Sequence, residues 1–220
     1  MVKEKETGNL IVISGPSGAG KDSVAQRVIE NNKKIEISVS MTTREPRAGE
    51  KEGKDYFYVT KNEFLEQIDK GNFLEYAVVY GDTYYGTPKD KVLKDLKNGI
   101  DVILVIDIQG ALKIKESIPE AIFIFIMPPS MRELKNRLIK RNTEKPEKIL
   151  SRFKTAYKEI NEATKYNYVV INDKLDIAVK KVESIILAEK CRVDRIEDFD
   201  LNSEQELIHE LLVEKGLTNA

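Results

Sequence analysis

The sequence predicts an α/β fold, a parallel sheet covered by helices, on three observations. Short apolar runs alternate with helix-patterned stretches along the chain, the rhythm of successive βα units. Runs such as Val102-Ile103-Leu104-Val105-Ile106 and Ile122-Phe123-Ile124-Phe125-Ile126 are apolar without alternation, as strands buried on both faces are. The first run, Leu10 to Ile13, leads straight into a glycine-rich loop and a helix pattern. At 220 residues the chain is long enough for one sizeable core and too short for two full enzyme domains.

The loop reads Gly15-Pro16-Ser17-Gly18-Ala19-Gly20-Lys21-Asp22, between a strand at 9–14 and the helix-like Ser23-Val24-Ala25-Gln26-Arg27-Val28-Ile29. In that context backbone N–H groups and a helix N-terminus converge on a polyphosphate, and a lysine reaches its outer phosphates. Residues 15–23 are therefore expected to bind a nucleoside triphosphate. The pattern wants Ser or Thr after the lysine to ligate magnesium, whereas this chain has Asp22, with Ser23 behind it.

The remaining elements follow in order. From about 38 to 87 the βα rhythm breaks into short strand-like pieces, Ile37 to Met41, Tyr56 to Val59 and Ala77 to Tyr80, dense in Arg and Tyr. That composition predicts a small mixed-β insertion. Thr60 with Glu63, Thr87 with Pro88 and Asp90, and Ser130 with Glu133 mark three helix starts, and Gly71 and Gly99 stand where two of those helices should stop. Further strands are expected at 101–107, 121–126 and 167–171. Lys140 to Pro146 reads as an irregular, arginine-flanked lid between two helices. Ser203 with Glu206 and the cluster Leu207, Ile208, Leu211 and Leu212 predict an amphipathic helix over 204–215.

Composition narrows the function classes. A net charge of −1 gives no global field toward nucleic acid or an anionic membrane, so neither partner is expected. The single cysteine, Cys191, excludes a disulfide framework and a cysteine zinc site. No apolar stretch reaches membrane-spanning length, and the first residues lack the apolar core of a signal peptide, so a cytoplasmic protein is expected.

Two long segments then carry a family resemblance. Ser38-Val39-Ser40-Met41-Thr42-Thr43-Arg44-Glu45-Pro46-Arg47-Ala48-Gly49-Glu50, with Gly53-Lys54-Asp55-Tyr56-Phe57-Tyr58, resembles the nucleoside-monophosphate segment of guanylate kinases. Phe73-Leu74-Glu75-Tyr76-Ala77, Tyr84-Tyr85-Gly86-Thr87, Ile106-Asp107-Ile108-Gln109-Gly110-Ala111, Pro128-Pro129-Ser130 and Ile171-Asn172-Asp173 recur in that family in the same order. The resemblance covers about residues 9–190. It implies a P-loop kinase with a parallel sheet core (9–37, 88–136 and 154–190), an inserted GMP-binding subdomain (38–87), a helical lid (137–153) and an added C-terminal extension (191–220). The implied activity is transfer of the ATP γ-phosphate to GMP or dGMP with Mg2+.

The resemblance also assigns roles. Arg44, Arg47, Tyr56 and Tyr85 would hold the GMP phosphate, and a planar guanidinium pair in a Pro-containing turn suits a phosphate monoester. Glu75, with Ser40 and Thr87 as hydroxyl partners, would read guanine, whose N1–H and N2 amino group one carboxylate can accept together; adenine offers no such pair. Asn172 would contact adenine. Arg137, Arg141 and Arg152 would close onto the transferring phosphoryl group beside Lys21 and Arg44. The lone histidine, His209, lies outside these motifs, and no general base is needed, because a phosphate monoester with a second pKa of about 6 is already mostly dianionic at neutral pH. The task is to align two polyanions and neutralise their repulsion.

Three departures accompany the match. For magnesium, Asp22 could act through water or Ser23 could supply the hydroxyl. Val105 stands where the family commonly has an acid, so Asp107 either carries more of the metal role or contacts the guanine amino group. Lys140-Arg141-Asn142 replaces a Gly-Arg-Gly hinge, which should be stiffer. Asp22 also keeps open a ribose 1,5-bisphosphate phosphokinase, and guanylate kinase-like domains include non-catalytic binding modules. The Thr-Thr-Arg segment, Glu75 and the intact loop argue against both.

Overall fold

The apolar runs of the sequence assemble into a five-stranded parallel sheet. The structure, a computed structural model, describes residues 3–4, 7–47, 49–79, 81–140, 146–197 and 201–214. It divides into a large unit, Thr7–Ser184, and a smaller one formed by the described residues of the N-terminus and those from Ile185 on. In chain order, β1 (Lys3–Glu4) belongs to the smaller unit. The large unit begins with β2 (Leu10–Ser14), α1 (Lys21–Asn31), β3 (Ile35–Ile37), β4 (Met41–Thr42), β5 (Phe57–Tyr58) and α2 (Lys61–Asp69). It continues with β6 (Phe73–Val79), β7 (Thr83–Pro88), α3 (Lys89–Lys97), β8 (Asp101–Val105), α4 (Ile108–Ser117) and β9 (Ile122–Met127). Then come α5 (Met131–Lys140), α6 (Pro146–Asn161), β10 (Tyr168–Ile171) and α7 (Leu175–Lys190), within which the unit boundary falls.

The sheet runs in the order β10-β9-β2-β8-β3. Leu10, Val12, Val102, Leu104 and Phe123 form one buried cluster with Val92 of α3 and Ala111 and Ile114 of α4. Alternation along each strand sends Ile11, Ile13, Ile103 and Ile124, all buried, to the opposite face. Against β2, β3 and β8 lies α1, whose Val24, Ala25 and Val28 are buried. Burial on both faces is the reason these strands read as unbroken apolar runs. Pairing Ile13 with Val105 and with Ile124 aligns the strand ends, so the loop after β2, Asp107 after β8 and Asn172 after β10 leave the same carboxyl edge.

The mixed insertion is a four-stranded sheet in the order β5-β4-β7-β6. It differs from the expectation at several points. The piece Ile37 to Met41 is split, since Ile35–Ile37 pairs in parallel with β8 as the edge of the main sheet while Met41–Thr42 opens the mixed sheet. An edge strand needs only one buried face, so Lys34-Ile35-Glu36-Ile37 lacks the apolar signature of its neighbours. Ala77 to Tyr80 lengthens to Phe73–Val79, with Tyr80 outside the described residues, and Thr83–Pro88 is an unforeseen partner strand. The strand expected at 101–107 stops at Val105, because Asp107 turns out of it to cap α4 by accepting from the Gly110 N–H.

Two of the three helix-start readings hold. Thr60 and Glu63 form a complete capping box, and Ser130 Oγ accepts from the Glu133 N–H at 3.1 Å. Thr87 does not cap: α3 begins after Pro88 without a side-chain cap, because the Thr87 hydroxyl is spent on Glu75.

The smaller unit pairs β1 with β11 (Ile196–Glu197) antiparallel and contains α8 (Leu201–Glu214). This helix starts before Ser203, which is thus inside it and not its cap. Leu207, Ile208, Leu211 and Leu212 are exposed. Among the described residues no helix is long and apolar enough to cross a membrane.

Candidate active site

The phosphate loop is shaped by what surrounds it. Gly20 caps α1 in the left-handed region, φ 90°, with no side-chain cap hydrogen bond, and a helix N-terminus of this kind suits an anion. A Cβ at Gly20 would lie 2.4 Å from Asn172 Nδ2, so glycine is required there twice over. Asn172 braces the loop: its buried side chain donates to the Ala19 carbonyl at 2.8 Å. The Lys21 ammonium folds over the loop and donates to the carbonyls of Gly15 at 2.7 Å and Pro16 at 3.3 Å. Asp22 and Ser23, in the first turn of α1, are exposed.

Side chains of α5 reach the same place. Arg137 donates to Glu133 at 2.9 Å and to the Asn172 carbonyl at 3.0 Å. Leu134 and Leu138 pack over Gly18. Arg141 lies outside the described residues, as do the hinge residues that follow it and the side chain of Arg152.

The second half of the site is built on the mixed sheet. Glu75 on β6 pairs in register with Thr87 on β7 and accepts from its hydroxyl at 2.7 Å. Glu75 is 6% exposed. Burial pushes its carboxyl up to about 7, with Asp107 adding to the rise and the Thr87 hydroxyl opposing it. A Cβ at Gly110 would lie 2.5 Å from Glu75 Oε2, so the first turn of α4 must be bare for the carboxylate to sit against it. Ser40 stands between β3 and β4, where its carbonyl accepts from the Phe57 N–H.

Arg44, Tyr56 and Tyr85 also come together. Arg44 Nε donates to the Tyr85 hydroxyl at 3.2 Å, and the guanidinium carbon lies 5.0 Å from the Tyr56 ring centroid. Tyr56 and Tyr85 meet edge-on at 5.8 Å. Burial, then the Asp22 charge, pushes the Tyr56 phenol up to about 12. That coupling puts the phosphate loop within electrostatic reach of this cluster. Arg47 has an exposed side chain, and its backbone N–H donates to Glu50 at 2.8 Å.

One participant is absent from the sequence-derived set. Glu50 takes both arms of Arg44 at 2.7 Å and also accepts from the Tyr58 hydroxyl at 2.8 Å. Its signal was present in the Arg44 to Glu50 segment, where an acid follows two arginines across a Pro turn, but spacing alone does not say that the turn closes on itself.

Asp22 and Ser23 in the first turn of α1 and Asp107 after β8 are oxygen donors of the type a hard cation takes. Among the described residues no group of three or more His, Cys, Asp or Glu side chains could hold a metal by itself. Such a donor set fits an ion carried largely by substrate phosphates and water.

Known proteins resemble the chain along most of its length. The guanylate kinase family model matches residues 7–189. A guanylate kinase of Clostridium tetani is 60% identical over 207 residues, 94% of this chain and 99% of that protein. One from Caldanaerobacter subterraneus subsp. tengcongensis is 58% identical over 204 residues, covering 93% and 98%. The crystal structure of guanylate kinase from Anaplasma phagocytophilum superposes with a TM-score of 0.75 at 36% identity, over 91% of this chain and 94% of that one.

Proposed function

The chain belongs to the guanylate kinase family of ATP:GMP phosphotransferases, and from that premise we propose how its own residues divide the work. The phosphate loop, residues 15–23, takes ATP, with Lys21 on the outer phosphates and Asn172 holding the loop in shape. Glu75 reads the N1–H and N2 amino group of guanine, flanked by Ser40 and Thr87, with Asp107 beside it. Arg44, Arg47, Tyr56 and Tyr85 hold the phosphate of GMP or dGMP. Ser23 and Asp107, with Asp22 through water, would hold a magnesium ion, which supplies charge neutralisation between the two nucleotides. Arg137, Arg141 and Arg152 complete that neutralisation from the lid. Cytoplasmic nucleotide pools are the proposed setting.

The observation that carries this reading is the placement of Glu75. A carboxylate buried against Gly110 and hydrogen-bonded to Thr87 has no cation to neutralise it within hydrogen-bond distance among the described residues. Its environment makes sense as a receptor for paired N–H donors, and a sugar phosphate acceptor gives it nothing to bind. Replacing Glu75 with Gln leaves the volume but turns one acceptor into a donor facing guanine donors. Glu75→Gln is expected to lower kcat/KM for GMP by about 10²-fold or more while KM for ATP stays within about twofold. Equal loss toward both nucleotides refutes the assignment.

A further inference from the structure

Arg44 is not waiting with two open arms. Its Nη1 donates to Glu50 Oε2 at 2.7 Å and to the Glu45 carbonyl at 2.8 Å, its Nη2 to Glu50 Oε1 at 2.7 Å, and its Nε to Tyr85 at 3.2 Å. Of the five N–H donors of a guanidinium, one on Nη2 is left without a partner among the described residues. Glu50 is engaged just as fully. Beyond both arms of Arg44, it accepts from the Arg47 backbone N–H at 2.8 Å and the Tyr58 hydroxyl at 2.8 Å. The Arg44 guanidinium, helped by the Arg47 N–H and the Tyr58 hydroxyl, holds the Glu50 carboxyl down at about 2 against the desolvation of its site. The Tyr56 and Tyr58 rings lie 5.0 and 5.8 Å from the guanidinium carbon. Side-chain exposures of 14% for Arg44 and 19% for Glu50 leave the pair little freedom.

A partly buried ion pair is weak evidence for stability, because desolvation offsets the attraction. Its value here is geometric. We propose that Glu50 is a positioning residue of the acceptor-phosphate pocket, which locks the Arg44 guanidinium and the 44–50 turn so that a phosphate monoester meets one fixed N–H donor and a preset charge. This inference rests on the reading of Arg44 as a phosphate ligand. An arginine released from Glu50 must give up its rotamer freedom when the phosphate arrives, a loss of about tenfold in affinity. A bystander carboxylate does the reverse: its removal frees positive charge and tightens phosphate binding.

The test compares GMP with guanosine, which shares the base and lacks the phosphate, by direct binding to the full-length protein. Glu50→Gln is expected to weaken GMP about tenfold and leave guanosine within about twofold. Equal weakening of both ligands, no change, or tighter GMP binding overturns the proposal. Tyr58→Phe removes one contact to Glu50 without touching Arg44, and decides the matter if Glu50→Gln does not fold. It is expected to weaken GMP about two- to threefold with guanosine unchanged, and an unchanged GMP affinity overturns the proposal. Arg44→Ala separates the two levels of inference. If it spares GMP binding, the phosphate pocket itself is misread; if it weakens GMP selectively while the Glu50 and Tyr58 variants do not, only the role of Glu50 fails.

Discussion

Burial of Glu75 makes its ionised form costly to the fold. Its carboxyl is pushed from 4.5 to about 7 by burial, so between those values the native state binds more protons than the unfolded chain, and stability falls as pH rises through that window. Glu75→Gln should therefore stabilise the protein at pH 8 by roughly 1–3 kcal/mol, seen as a raised Tm, while it removes guanine recognition. A lower Tm at pH 8 would contradict the burial argument. Recognition should carry the opposite sign. Because guanine donors need the carboxylate, guanosine affinity is expected to fall as pH drops below about 7 in the native protein and to be flat over that range in Glu75→Gln. Guanosine is the right probe, since the GMP phosphate itself titrates with a pKa of about 6. In sequence terms Glu75 was legible only through the family pattern. Its burial, its bond to Thr87 and its contact with Gly110 depend on residues 12 and 35 positions away, which no local pattern reports. Glu50 escaped for the same kind of reason, its role being fixed by the closure of a turn.

At the scale of elements, α1 and α2 make opposite uses of a helix start. Thr60 and Glu63 satisfy the first N–H groups of α2 from within the chain, so that end is structural. Thr60→Ala is expected to cost about 1 kcal/mol of stability, read in a denaturant titration, with kcat unchanged. The start of α1 has no such side-chain cap and is the proposed phosphate site, with Lys21 folded over the loop. Lys21→Met should lower kcat by about 10²-fold or more while the circular dichroism spectrum is retained, and surviving turnover would remove Lys21 from the mechanism. Elements buried on both faces, such as Ile122–Met127, were plain in the sequence because composition alone marks them. Ile35–Ile37 and Thr83–Pro88 were not, since one is an edge with a single buried residue and the other a half-buried partner in a small sheet. Thr87 was misread as a cap because a threonine before Pro and Asp looks the same whether its hydroxyl turns to the helix or across the sheet.

In the large unit as a whole, the parallel sheet gathers chain segments distant in sequence onto one edge. The loop after β2, Asp107 after β8 and Asn172 after β10 leave aligned strand ends, and α4 packs against β6 of the mixed sheet to bring Glu75 to Gly110. The alternation of apolar runs and helix patterns made the sheet legible, whereas the approach of the two halves is a tertiary contact that the sequence encodes without displaying. The proposed triphosphate cradle and guanine-reading acid serve one reaction. ADP formation from MgATP, with GMP, dGMP, AMP, UMP and ribose 1,5-bisphosphate offered separately, is the sharpest test of that pairing. Rapid turnover is expected with GMP and dGMP and rates at least about 10³-fold lower with the other three; comparable turnover of AMP or ribose 1,5-bisphosphate would refute the pairing.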